Sequence, residues 1–151
     1  MLKKPLFLET FILFALVGVL NYFAIEFHLY WTVSEFDSVV HFLGGATASI
    51  FFLWLYFYSG LFNPLQRRLA RFLFVALFGA MSIAVLWEIF ELMLGEAAAN
   101  KSQYPFDTTL DFIMDFLGAL AACFYGFLKE TKSQAPDSKL QTISHDQNPN
   151  A

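Results

Sequence analysis

Four stretches of this sequence, about residues 6–27, 36–58, 69–94 and 107–128, are apolar for long enough to cross a bilayer, and no other feature limits the fold as tightly. A bilayer span takes roughly 20 mostly apolar residues as an α-helix. In hydrocarbon each backbone N–H and C=O must find its partner within the segment, so runs of this length read as helices. They use most of the 151 residues and leave no room for a soluble catalytic domain. Charged residues are 15% of the chain, against about 25% in an ordinary soluble domain. The expected class is therefore all-α: an integral membrane bundle of four transmembrane helices formed by residues 1–130. Residues 131–151, rich in Ser, Gln, Asn, Asp and Pro, read as a disordered tail. Whatever chemistry the chain performs lies within the membrane or at its surface.

The basic residues set the expected topology. Lys3 and Lys4 precede the first run, Arg67, Arg68 and Arg71 lie between the second and third, and Lys129, Lys132 and Lys139 follow the fourth. The segment 28–35 has neither Lys or Arg, and the segment 95–106 has Lys101 alone. Basic loops stay in the cytoplasm, so both termini are expected there, with the chain multi-pass in a bacterial inner membrane. The first run is long for a signal peptide and lacks an Ala-x-Ala-like cleavage site, so it reads as a retained span. A net charge of -4 with no strong basic patch argues against a nucleic-acid partner. The single Cys123 excludes an internal disulfide and suits packing within the fourth span.

The polar residues inside the spans carry the functional signal. Asp107, Asp111 and Asp115 recur at i, i+4 and i+8, a stripe on one helix face that continues as Gly118 and Ala122. Acids running into small residues mark a face that meets other helices. The second span offers Asp37 and His41 at its start, then the small residues Gly44, Gly45, Ala46, Ala48 and Ser49; the third ends with Glu88 and Glu91. In the expected topology all these acids share the outer leaflet, and the cytoplasmic halves of the same spans hold none. His41 then lies about 6 Å deeper than Asp37, and Asp115 about 12 Å deeper than Asp107, at 1.5 Å per helical residue.

An Asp within a span costs roughly 2.5–3.5 kcal/mol on insertion scales. Acids at the helix ends, such as Asp37 and Asp107, can instead snorkel to the interface, and Glu9 near the basic end reads as solvated and neutral in effect. His145 in the tail reads as incidental. The remaining acids outnumber the nearby bases, His41 and Lys101, and like charges packed together cannot all stay ionised without a proton or a metal. Asp37, His41, Glu88, Glu91, Asp111 and Asp115 are therefore the candidate metal ligands, with Glu88 and Asp111 the candidates for acid–base work. A set of carboxylates and one imidazole suits a divalent ion such as Mg²⁺, Mn²⁺ or Zn²⁺. It does not fit a ferritin-type di-iron centre, which needs Glu-x-x-His twice. Three function classes follow: a metal-dependent hydrolase or transferase acting on a membrane lipid or lipid-linked substrate, a proton- or cation-coupled transporter, and a structural or amphiphile-binding module. The transporter needs a polar route through the other leaflet, where the spans offer only Ser49, Ser82 and interfacial Tyr residues unless the protein oligomerises.

Three motifs in order, Asp37-Ser-Val-Val-His41-Phe-Leu-Gly44-Gly45, Trp87-Glu88-Ile-Phe-Glu91 and Asp107-Thr-Thr-Leu-Asp111-Phe-Ile-Met-Asp115-Phe-Leu-Gly118, resemble the YjdF-like family of small bacterial inner-membrane proteins. The pattern is also distantly similar to the VanZ-like proteins linked with glycopeptide resistance, which share an early Asp and His, a mid-chain Glu and a late Asp before Gly. The resemblance implies membrane location and a role for these motifs. It implies no particular substrate.

Overall fold

The computed structural model describes residues 6–33, 35–62, 68–94 and 104–134. They form α1 (Phe7–Glu26), α2 (Leu29–Thr32), α3 (Phe36–Phe57), α4 (Leu69–Leu94) and α5 (Tyr104–Gln134), with no strand among the described residues. All but the one-turn α2 are long and apolar enough to cross a membrane, so the chain is a bundle of four membrane-length helices. We call its ends by their residues, the acidic end with Asp37 and Asp107, and the basic end with Arg68, Arg71 and Lys129.

Three boundaries differ from the sequence expectation. The connection after α1 is not a plain loop, because Leu29–Thr32 makes a helical turn after His28, whose φ of 55° is left-handed. The fourth span begins at Tyr104 and not at Asp107, since Pro105 falls in the first turn, where its missing N–H costs nothing. It also runs on to Gln134, past the expected boundary at residue 130. The expected tail beyond Gln134, with Lys139 and His145, lies outside the described residues, as do Lys3, Lys4, Arg67 and Lys101.

α3 is the hub, packed most extensively on α5, then on α4 and α1. Its small residues explain why. A Cβ on Gly45 would lie 2.1 Å from the backbone oxygen of Asp115, and one on Gly118 would lie 2.0 Å from that of Phe42. The two backbones thus touch directly, which only glycine permits. Inward of this crossing, Ser49 Oγ sits 3.1 Å from the Ala76 carbonyl and 3.3 Å from that of Ala119, so one buried hydroxyl serves α3, α4 and α5. Beyond it the core is dry: Ile50, Leu53, Phe57, Phe72 and Cys123 are buried, and Phe57 stacks on Phe72 with ring centroids 4.2 Å apart.

Two acids near the basic end depart from expectation. Glu9 is not merely solvated, for it accepts hydrogen bonds from Lys129 and from the Tyr125 hydroxyl, joining α1 to α5. Glu130 is buried and accepts a hydrogen bond from the Tyr58 hydroxyl, so that half of the bundle does carry an acid. The interior stripe of α5 simply continues past Leu128, through Gly126 to Glu130. α1 itself is the peripheral helix, with Ala24 its only buried residue.

Candidate metal centre

The acidic ends of α3 and α5 build the centre, and the Gly45 and Gly118 crossing sets their spacing. His41 lies one turn after Asp37 on α3, facing Asp111 and Asp115 on α5; His41, Asp111 and Asp115 are buried. The imidazole is held from one side, with Nδ1 at 3.1 Å from Asp115 Oδ2. A carboxylate only accepts, so Nδ1 is the donor in this pair and Nε2 is left facing the other way. There it lies 3.7 Å from Asp37 Oδ1 and 3.7 Å from Asp111 Oδ1. Those separations are too long for hydrogen bonds. They suit a shared cation: ligands each about 2.0–2.3 Å from one ion lie roughly 2.8–3.8 Å from their neighbours. Asp37, His41 and Asp111 each present a ligand atom within 4.8 Å of the other two. The Asp37 side chain is 34% exposed against 6% for His41, so the centre opens through Asp37.

Glu88 comes from α4 and is buried beside the group of three. Its Oε2 accepts a hydrogen bond from Thr108 Oγ1 at 2.9 Å and from the Tyr104 hydroxyl at 3.3 Å, both from α5. Its charge reaches Asp37 and Asp111. Glu91, by contrast, accepts from Trp87 Nε1 at 2.8 Å on its own helix, whereas the ion pairs of His41 run to Asp37, Asp111 and Asp115. Asp107 is exposed at the mouth. The six expected ligands therefore divide: Asp37, His41 and Asp111 come together, Asp115 orients the imidazole, Glu88 stands alongside with its own hydroxyl partners, and Glu91 pairs locally. Arg68, Arg71 and Lys129 lie at the opposite end, so no described Lys or Arg neutralises the cluster.

A family profile described as "Predicted membrane protein (DUF2238)" matches residues 4–132. The chain belongs to this family. The match reaches from before α1 to within two residues of the end of α5 and takes in all six residues above, and it is consistent with the YjdF-like resemblance; no match shows a likeness to VanZ-like proteins. No curated protein and no solved structure matches the chain.

Three further side chains of this DUF2238 protein complete the setting, none of which periodicity alone singles out. Thr108 and Tyr104 fix Glu88 from about one and two turns outward of Asp111 on α5. Tyr30, on α2, donates to Asn21 Oδ1 near the mouth. Burial, with the negative charges of Asp37 and Glu91, pushes its phenol up to about 12, so Tyr30 stays a neutral donor at any physiological pH.

Proposed function

We propose that this DUF2238 protein holds a divalent cation between Asp37, His41 and Asp111, and that the centre acts on a membrane lipid or lipid-linked group as a hydrolase or transferase at the outer face of a bacterial inner membrane. The observation that carries the reading is the pairing of geometry with orientation. Three ligand atoms lie within 4.8 Å of one another, and Asp115 turns the free nitrogen of His41 towards the other two. That is how metal-ligating histidines are ordinarily braced. When bound, a cation such as Mg²⁺, Mn²⁺ or Zn²⁺ supplies Lewis acidity towards a phosphoryl or carbonyl oxygen. The chain supplies the rest. Asp37, at the opening, meets the incoming group; Asp111 closes the ligand set from α5; Glu88, anchored by Thr108 and Tyr104, takes the proton from the attacking hydroxyl or water.

The structure gives less support to transport. From Ser49 to Tyr58 the described residues packed between α3, α4 and α5 include Ile50, Leu53, Phe57, Phe72 and Cys123, an apolar stretch that offers a proton or an ion no partners. The test begins with elemental analysis of the purified protein. Stoichiometric divalent metal is expected, with a melting temperature that falls on chelation and recovers when the ion returns. Asp111→Asn should lose the metal. Glu88→Gln should keep it while losing turnover of a total membrane lipid extract followed by mass spectrometry. A metal-free wild type whose melting ignores chelator removes the metal reading altogether, and Glu88→Gln with full turnover removes Glu88 as the base.

A further inference from the structure

Between its two ends α1 stands away from the bundle. Towards the basic end Phe7 packs on Trp54 with ring centroids 5.3 Å apart, and Glu9 pairs with Lys129. Towards the acidic end Asn21 accepts from Tyr30, and Ala24 is buried. Between these attachments runs a groove of about 360 Å³, with Ile12 and Leu13 on one wall and Ala46, Ile50, Ala121 and Ala122 on the other. The alanines account for it, because three methyl groups offer α1 no longer side chain to meet. Every helix that lines it is a membrane-length span. Ordered water needs two to four polar partners, and these walls provide none. The occupant that matches apolar walls at this depth is an alkyl chain.

One end of the groove is different. Glu9 and Tyr125 line it, with Lys129 paired to Glu9 beside them. An ammonium has three N–H donors, and Glu9 takes one of Lys129's, so donors remain for an incoming oxygen. Arg68 and Arg71 stand at the same end, since Phe72 beside them packs on Phe127, so among the described residues three bases face the two acids Glu9 and Glu130 there. We propose that the groove is a lipid site separate from the metal centre: it holds one acyl chain of an anionic phospholipid of the cytoplasmic leaflet, with the phosphate at Lys129. Charge selects the headgroup and the alanine floor accepts the chain.

The full-length protein, purified in mild detergent, tests this by lipid mass spectrometry and by melting with added phosphatidylglycerol or phosphatidylcholine. Wild type should retain phosphatidylglycerol stoichiometrically and gain more melting temperature from it than from phosphatidylcholine. Ala121→Phe, at an exposed position on the groove wall, should lower retained lipid by about tenfold, since a side chain takes the place of buried methylenes. Ile12→Trp fills the groove from α1 and serves should Ala121→Phe not fold. Lys129→Gln should keep the chain but lower the preference for the anionic lipid about fivefold. Equal response of wild type to the two lipids overturns the headgroup assignment. Undiminished lipid in both filling variants overturns the groove, and a dimer that these variants turn into monomer assigns it to a second copy of the chain instead. Metal content should be unchanged throughout, which keeps this result independent of the centre at the other end.

Discussion

His41 has two ring nitrogens, and the structure gives them different surroundings. Asp115 holds Nδ1 at 3.1 Å, while Nε2 faces Asp37 and Asp111 at 3.7 Å each. A carboxylate behind an imidazole fixes its tautomer and makes the opposite nitrogen a better ligand, and loss of such a partner lowers metal affinity about 10- to 100-fold. Asp115→Asn keeps an oxygen that can accept the Nδ1 proton but removes the charge. It should therefore weaken Mn²⁺ or Zn²⁺ binding, measured by calorimetry on the solubilised protein, by a factor in that range without abolishing it. Complete loss would make Asp115 a direct ligand, and unchanged affinity would strip it of any part in the centre.

At the scale of elements, the crossing of α3 and α5 sets where these side chains meet. Backbone lies on backbone at Gly45 and Gly118, so Gly118→Ala must push Phe42 and its helix outward. Overpacking of this kind costs about 1–3 kcal/mol, and both Gly118→Ala and Gly45→Ala should show it as a lower melting temperature, with weakened metal binding as the helices part. Gly18→Ala is the control: a Cβ there meets nothing within 4 Å on lipid-facing α1, and stability should hold. Equal behaviour of all three variants would mean that the close approach does not set the packing. The Asp107-to-Gly118 stripe repeats at helical spacing, so sequence showed a face that meets other helices, and the small residues around Gly44 marked a place where backbones can approach closely. The four spans were readable from the length of their apolar runs, to within a few residues at most ends. What periodicity could not reveal was partner choice. Glu88 and Glu91 lie a turn apart and look alike in sequence, yet Thr108 and Tyr104 take one into the interior while Trp87 keeps the other on its own helix. Glu130 escaped because hydropathy ended the span at Leu128, although the buried stripe runs on, and Glu9 because its partner Lys129 is 120 residues away.

In the whole molecule one cluster of acids gathers about His41 at one end, while the described bases Arg68, Arg71 and Lys129 stand at the other, together with Glu9 and Glu130. The basic end should face the cytoplasm. A fluorescent protein fused at the C-terminus is then expected to fluoresce, and alkaline phosphatase fused at the same place to be inactive; the reverse pair would turn the metal centre towards the cytoplasm. Between the ends lies the packed segment of Leu53, Phe57, Phe72 and Cys123. Such a layer is an electrical insulator in series with two conducting faces. The transmembrane voltage falls mainly across it, and work is done on an ion only where it moves through that fall. A cation reaching Asp37 from its own face stops short of the layer. Under the function proposed above, occupancy then follows the concentration of the ion on that face, and the energised state of the membrane leaves the loading almost untouched.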